Sequence, residues 1–160
     1  MRLEPYGTDN RALYEALVFN EAVMRQNYGR TFTQEESDLL FSAMIEANAE
    51  GGALGFYKVF VRGKDGDAYA GYGALNQNET GAVEIEYMFL PQFWGRGYGT
   101  ELAETLVRMA KESGRSATVE AITDPGNVPS RRILQKIGFA LAEQFENDDG
   151  EPVELYRKTI

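Results

Sequence analysis

Residues 94–100 read Trp-Gly-Arg-Gly-Tyr-Gly-Thr and bring three glycines together at the start of a predicted helix. Glycine lets the backbone approach a ligand closely, and the first turn of a helix presents unpaired N–H groups at the positive end of the helix dipole. The segment therefore predicts a binding site for a phosphate or pyrophosphate group. The alternative is a tight turn that binds nothing.

Two other glycine-rich phosphate sites require a different pattern. A Walker A loop ends in Gly-Lys-Ser/Thr, which this segment lacks. A Rossmann fingerprint needs a third small residue where Thr100 stands, an acidic residue about twenty positions later and a preceding strand of a βαβ unit. Glu120 lies near that offset, but the strands before Trp94 are predicted to form a meander. Neither of these two sites fits well.

Glu84 and Glu86 lie on a second segment whose residue types could do chemistry. Residues 82–90 alternate apolar and polar side chains, which is typical of a strand, and this period of two places both carboxylates on one face. The chain has no histidine and no cysteine, so proton transfer must use other groups. Glu84 or Glu86 could accept a proton through water, or both could lie on a solvated strand face. Glu120, on the next strand, is a weaker candidate base.

The composition narrows the fold and the partners. The chain has 160 residues, 43% of them hydrophobic and 26% charged, with a formal net charge of -9, which is typical of one globular domain over residues 1–160. No stretch approaches the roughly 20 apolar residues of a membrane helix, so we expect no membrane partner. Residues 1–5 lack the apolar core of a signal peptide and the chain has no cysteine, so we expect a cytoplasmic location. The acidic charge argues against nucleic acid; it either favours cationic partners or only keeps the protein in solution. Without histidine or cysteine, we expect no metal site.

The elements that hold these segments follow from the pattern of apolar residues. A short strand near Leu3 precedes two predicted helices, at residues 8–28 and 33–49. The second helix opens with Thr33-Gln34-Glu35-Glu36, a capping box. The period then becomes that of strands, which we predict as a meander at residues 56–61, 68–75 and 82–90.

The glycine segment leads into a predicted amphipathic helix over residues 97–113. A strand at 116–123 follows, then a short helix at 129–137 that begins with proline and ends before a glycine. A final hairpin is predicted at residues 139–145 and 152–159. Together these elements predict an α/β fold of α+β type, with a central, mostly antiparallel mixed sheet of six to seven strands and about four helices.

Two motifs together resemble those of the GNAT superfamily of acyl-CoA N-acyltransferases. The glycine segment is similar to that family's pyrophosphate loop, Gln/Arg-x-x-Gly-x-Gly/Ala. Residues 127–139, Asn-Val-Pro-Ser-Arg-Arg-Ile-Leu-Gln-Lys-Ile-Gly-Phe, are similar to its Asn-x-x-Ser/Ala and Lys-x-Gly-Phe segment. The order of the elements matches the family across nearly the whole chain. The resemblance implies a GNAT-like sheet that splays between the strands at 82–90 and 116–123, with acetyl-CoA bound in the splay.

The resemblance also implies roles for individual residues. The backbone of Met88, Phe89 and Leu90 would run alongside the pantetheine arm of acetyl-CoA, with the Phe89 N–H polarising the thioester carbonyl. Asn127 would bind the pantetheine or order a water molecule, and Ser130 would donate a proton to the thiolate or would only cap a turn. The pyrophosphate would be held by the loop residues Gly95, Arg96, Gly97, Tyr98, Gly99 and Thr100.

Two positions depart from the commonest family pattern. Trp94 stands where Gln or Arg is usual, and Leu134 occupies the position of the tyrosine that often protonates the thiolate. The motifs are similar to those of the branch that includes the ribosomal-protein N-terminal acetyltransferases, whose members modify proteins, polyamines, amino acids and antibiotics. Tyr87, Tyr98 and Tyr156 are further candidate acids, although aromatic residues at such spacing are core in most cases.

The resemblance implies direct transfer of an acetyl group from acetyl-CoA to a primary amine in a ternary complex, because the chain has no cysteine to carry the acyl group. The acceptor would be a small-molecule amine or a protein N-terminus, and the protein a monomer or homodimer. A non-catalytic coenzyme A-binding module is the alternative, and a purely structural domain is a third hypothesis. Four aromatic residues could line the acceptor side or belong to the core: Tyr14, Phe19, Tyr28 and Phe32.

Overall fold

The computed structural model describes residues 1–160 and contains one seven-stranded sheet and five α-helices. The first half of the chain, in order, consists of β1 (Arg2–Pro5), α1 (Arg11–Val18), α2 (Glu21–Asn27), α3 (Gln34–Ala49), β2 (Gly55–Gly63), β3 (Gly66–Gln77) and β4 (Val83–Phe89). The second half consists of α4 (Tyr98–Ser113), β5 (Thr118–Thr123), α5 (Val128–Lys136), β6 (Ala140–Glu146) and β7 (Pro152–Thr159).

The strands lie in the order β1-β2-β3-β4-β5-β7-β6. Every neighbouring pair is antiparallel except β4 and β5, which run parallel. The prediction of a mostly antiparallel mixed sheet of six to seven strands is therefore confirmed. Gly71 allows β3 to approach β4 closely, because a Cβ atom at this position would lie only 2.1 Å from the carbonyl oxygen of Met88.

The predicted helix at residues 8–28 is wrong as a single element. The chain forms a short 3-10 turn and then two helices, α1 and α2, which are separated at Phe19 and Asn20. Asn20 has an extended backbone, and its side chain accepts a hydrogen bond from the Val23 N–H at 3.1 Å. Asn20 is therefore the N-cap of a new helix, since an N-cap side chain satisfies a backbone donor that the helix leaves unpaired.

Two other helix starts show how local sequence fixes the elements. The capping box at α3 is confirmed: Thr33 Oγ1 accepts from the Glu36 N–H at 3.2 Å, and the Glu36 carboxylate accepts from the Thr33 N–H at 2.8 Å. The last helix begins one residue earlier than predicted. Asn127 caps it, and Pro129 stands at the second position of α5.

Two apolar clusters fill the two faces of the sheet. Helices α4 and α5 cover one face, where Leu102, Leu106 and Leu134 are fully buried. Helices α1 to α3 cover the other face, whose core includes the rings of Tyr14 and Phe41. Neither layer contains a helix long and apolar enough to cross a membrane. The sheet is therefore held from both sides, which fixes the strands that carry the candidate site.

Candidate active site

The only parallel pair of the sheet separates after two residues. Val83 pairs with Val119 and Glu84 with Glu120, but no later residue of β4 pairs with β5. Strand β4 nevertheless continues to Phe89, so its second half has no partner on that side. This opening is the splay that the resemblance implied, and it lies next to the glycine segment.

Backbone groups of β4 face this opening. The N–H of Leu90 donates to the carbonyl of Ala70 at 2.9 Å, on the β3 side. Because donors alternate sides along an antiparallel strand, the N–H of Phe89 points away from β3 and into the opening. The Phe89 carbonyl accepts a 2.8 Å hydrogen bond from the indole Nε1–H of Trp94. Trp94 therefore ties the end of β4 to the glycine loop.

The glycine loop concentrates unpaired donors. None of the six backbone N–H groups from Gly95 to Thr100 has an acceptor within the protein, whereas the next one, that of Glu101, bonds to Gly97. Gly95 and Gly97 have φ values of 70° and 84°, in the left-handed region that favours glycine. Such a cluster of donors at the N-terminus of the 16-residue helix α4 is suited to an anion with several oxygens.

A cleft of about 400 Å³ joins the loop to the opening. Met88, Phe89, Asn127 and Ser130 line it, as do the loop residues except Arg96. Leu90 lies outside the lining. Arg132 is the basic side chain that faces this cleft, and it was not singled out from the sequence.

The donors and the edge strand of this cleft fit the diphosphate and the amides of coenzyme A. The diphosphate needs several hydrogen-bond donors, which the loop offers, and the pantetheine amides need free backbone groups, which β4 offers. Gly99 also has a packing role, because a Cβ atom there would lie 2.7 Å from Ile133 Cδ1. The loop therefore lies directly against α5.

The start of α5 and strand β4 each bring one hydroxyl group into the cleft, those of Ser130 and Tyr87. Asn127 is buried, and its Oδ1 accepts from the Ser130 N–H at 3.2 Å. Ser130 Oγ lies 3.2 Å from the Tyr87 hydroxyl, and either oxygen can donate. Burial raises the pKa of Tyr87 to about 12, so its hydroxyl stays protonated at neutral pH. Leu134 lies fully buried in the core and does not line the cleft.

A second cavity, of about 250 Å³, shares a border with the first. Asn27, Tyr87, Met88, Asn127 and Ser130 line both cavities. The second cavity extends over the opposite side of the opening, between α2 and β5. Two substrates bound in the two cavities would therefore meet at Tyr87 and Ser130.

Glu86 is the one ionisable carboxylate that lines the second cavity. It accepts hydrogen bonds from the Tyr72 hydroxyl at 3.1 Å and from Asn76 Nδ2 at 3.2 Å. The side chain is open to solvent through the cavity, but the surrounding walls remove much of its hydration and so raise its pKa. The two neutral donors only partly oppose this effect.

Glu84 projects from the same face of β4 but lies outside the lining of either cavity. Burial, with the negative charges of Glu86 and Glu120, raises its pKa to about 7. Glu120 itself is buried and bonded to Arg157 Nε at 2.6 Å and to Asn78 Nδ2 at 2.7 Å. The structure thus separates the three carboxylates: Glu86 faces a cavity, Glu84 lies beside it and Glu120 forms an ion pair.

Some of the aromatic residues predicted to line the acceptor side or to act as acids line a cavity, and others do not. Tyr28 and Phe32 line the second cavity and pack edge to face, with ring centroids 4.9 Å apart. Tyr14 is part of the buried core, and Phe19 is exposed outside the lining. Tyr156 is buried and donates to Glu154 at 2.9 Å, away from both cavities.

Comparison with known proteins identifies a family. Residues 1–140 match the model of the Acetyltransferase (GNAT) domain. The FsC-acetyl coenzyme A-N(2)-transacetylase of Aspergillus fumigatus is 26% identical over 162 residues, which cover 95% of this chain and 67% of that protein. The chain spans about half the length of two further relatives, the uncharacterized protein YkkB of Bacillus subtilis and the uncharacterized N-acetyltransferase p20 of Bacillus licheniformis.

Solved structures show the same fold. The Salmonella typhimurium acetyltransferase that modifies the N-terminal serine of ribosomal protein L7/L12 superposes with a TM-score of 0.78 at 20% identity, covering 99% of this chain and 94% of that one. Aminoglycoside acetyltransferase AAC(6')-Ib, solved with coenzyme A, gives a TM-score of 0.77 at 18% identity, with coverage of 98% and 93%. The resemblance of the glycine loop and residues 127–139 to GNAT motifs is therefore confirmed: the chain belongs to the GNAT family of acetyltransferases.

Proposed function

We propose that the protein transfers an acetyl group from acetyl-CoA directly to a primary amine in a ternary complex. The main support is the joining of two cavities at one point of the splayed sheet. One cavity is lined by five loop residues with unpaired N–H groups, Gly95 and residues 97–100, and the other presents the carboxylate of Glu86. One cavity therefore suits a diphosphate-bearing donor and the other suits an ammonium-bearing acceptor.

The donor would bind through backbone groups more than through side chains. The N–H groups of Gly95 to Thr100 would hold the diphosphate, with the side chain of Arg132 adding a positive charge. The free edge of β4 beside Met88 and Phe89 would run alongside the pantetheine arm. Asn127 would serve mainly to cap α5 and hold Ser130 at the border.

The reaction forms a C–N bond and breaks the C–S bond of the thioester. The Phe89 N–H would stabilise the negative charge that develops on the carbonyl oxygen. Glu86 would accept, through water where needed, the proton that the ammonium must lose before the neutral amine attacks the thioester carbonyl. The thiolate would take its proton from Ser130, which shares a hydrogen bond with Tyr87. Ser130 would in turn take the second proton that the nitrogen loses as the amide forms, so that no charge stays on the serine. Glu84 would tune the charge of Glu86 without touching the substrate.

A non-catalytic coenzyme A-binding module remains the second candidate function. It was suggested by Leu134, which replaces the tyrosine usual in the family. The Tyr87 and Ser130 hydroxyls favour the enzyme, because both face the cleft and supply the missing proton donor. We also propose a cytoplasmic protein that acts as a monomer or homodimer on a small amine or a protein N-terminus.

Thermal melting with and without acetyl-CoA tests the donor site. We expect acetyl-CoA to raise the melting temperature of the parent protein, because a ligand specific for the folded state stabilises it. Gly97→Trp should lose this shift. Gly114→Trp is the matched control, since Gly114 ends the same helix with φ 63° and also faces open space. The proposed binding of acetyl-CoA at the glycine loop would be contradicted if acetyl-CoA did not raise the melting temperature of the parent. It would also be contradicted if both variants lost the effect.

Release of free thiol in the presence of an amine panel separates the enzyme from the binding module. We expect turnover with the parent, and a decrease of about 100-fold or more in Glu86→Gln, which is typical for loss of a general base. Glu104→Gln, an exposed change on α4, should behave as the parent. Binding of acetyl-CoA without turnover of any amine would support the module instead.

A further inference from the structure

The second cavity contains one charge, and that charge is negative. Its fourteen lining residues include Glu86 but no lysine or arginine. The remaining lining is mostly apolar or aromatic, with the neutral polar side chains of Asn27, Thr123, Asn127 and Ser130. An anion bound in this cavity would therefore find no cation to pair with.

Three arginines on elements around this cavity are paired with carboxylates, and Arg132 lines the adjoining cleft instead. Arg157 Nε lies 2.6 Å from Glu120, and Arg131 Nε lies 2.8 Å from Glu154. On the α2 side, Arg30 forms a bidentate pair with Glu36, with N–O distances of 2.6 and 2.8 Å. None of these guanidinium groups lines the cavity, so none is free to neutralise a substrate carboxylate.

The shape and walls of the cavity favour a small apolar body. Its volume of about 250 Å³ lies below the range of roughly 300–1,000 Å³ typical of sites for drug-sized ligands. Tyr28 and Phe32 form one wall with their rings edge to face, and Ile122 of β5 forms part of the opposite wall. Aromatic walls of this kind stack against aromatic or alkyl groups.

We propose that the acceptor is a small primary amine with an aromatic or alkyl body and no anionic group near its nitrogen. This inference depends on the proposed function and names the substrate class of the same site. The ammonium would lie at Glu86 and the apolar body between Tyr28, Phe32 and Ile122. A carboxylate on the α-carbon of the amine would lie within a few ångströms of Glu86, where like charges repel strongly.

Matched pairs of amines test this class. The assay is thiol release from acetyl-CoA with tyramine against tyrosine and tryptamine against tryptophan, which differ only by the α-carboxylate. We expect kcat/KM to be at least about 100-fold higher for each amine than for its amino acid, as discrimination of this size needs only one strongly unfavourable charge contact.

A cation placed in the cavity should weaken this discrimination. Ile122 is 45% exposed, so Ile122→Arg adds a guanidinium to the lining without opening the core. We expect the ratio of kcat/KM for the amine to kcat/KM for the amino acid to be at least about 10-fold smaller in this variant than in the parent. Ile122→Met, a change of shape without charge, should leave the ratio as it is in the parent.

Three results would overturn the inference. Equal or faster turnover of the amino acids would show that the cavity accepts an anion, while leaving the acetyltransferase function intact. A serine-initiated peptide amide or spermidine turned over faster than both amines would assign another acceptor class. If no amine is acetylated although acetyl-CoA raises the melting temperature, the proposed function itself fails, and the inference fails with it.

Discussion

Replacement of Glu84 by glutamine should stabilise the protein at alkaline pH and have no effect at acidic pH. The carboxyl group is half-buried, has no hydrogen-bond partner and lies near two other carboxylates, Glu86 and Glu120. Burial and these charges raise its pKa to about 7, from an ordinary value of 4.5. The folded state therefore disfavours the ionised form.

The direction of the pH effect follows from this raised pKa. Below pH 4.5 the Glu84 carboxyl is protonated in both the folded and the unfolded chain, so it costs nothing. As pH rises from 4.5 to about 7, the unfolded chain ionises first, and the free energy of unfolding falls. Above pH 7 the free energy of unfolding is lowered by the full cost of the ionised Glu84 carboxylate.

The magnitude is limited by solvent access. A difference of 2.5 pKa units (7 minus 4.5) corresponds to at most about 3 kcal/mol. Because the side chain is only half-buried, we reduce this to roughly 1–2 kcal/mol. For a domain of this size, that amounts to an increase in Tm of roughly 2–8 °C in Glu84→Gln.

Thermal unfolding at pH 5 and at pH 8.5 measures this effect. Glu79→Gln is the matched control, because it makes the same chemical change in an exposed turn. We expect a clear rise in Tm for Glu84→Gln at pH 8.5, little change at pH 5 and no change for the control at either pH. An equal shift at both pH values, or a loss of stability at pH 8.5, would refute the reasoning.

Three further predictions concern the parts that hold the site. Trp94→Phe removes the hydrogen bond to the Phe89 carbonyl and should weaken acetyl-CoA binding roughly 3–10-fold in calorimetry; an unchanged Kd would show that this bond does not position β4. Asn127→Ala should cost about 1 kcal/mol in urea unfolding through loss of the α5 cap, and Asn127→Asp should restore most of it. Arg131→Gln should lower the Tm, because it leaves the buried carboxylate of Glu154 without its ion-pair partner; an unchanged Tm would contradict this.

The sequence predicted the sheet well because its signals are local. Alternation placed Glu84 and Glu86 on one face of β4, and the strands predicted at residues 139–145 and 152–159 lie within one residue of β6 and β7. The helix break at Asn20 was missed because apolar residues continue on both sides of it. The pair Asn20-Glu21 could have predicted the start of a new helix, since an N-cap asparagine and an acidic first turn are both typical of a helix start.

The sequence predicted only those residues of the candidate site whose roles follow from the two motifs. The glycine loop, Ser130 and Asn127 lie in motifs, but the role of Arg132 depends on which face of α5 turns towards the loop. Tyr87 was read as a core aromatic in most cases, yet the splay exposes it to both cavities. The orientation of Arg132 and the exposure of Tyr87 are set by how the helices and strands pack, and the spacing of residues along the chain does not predict either of them.

Calorimetric titration with S-acetyl-4′-phosphopantetheine and with S-acetylpantetheine tests the central claim most directly. The two ligands share the thioester and both amides and differ in one phosphate group. If the N–H groups of residues 95–100 hold the phosphates of the donor, the phosphorylated ligand should bind at least about 10-fold more tightly, and Gly97→Trp should abolish the difference. Equal affinity of the two ligands for the parent protein would contradict the account.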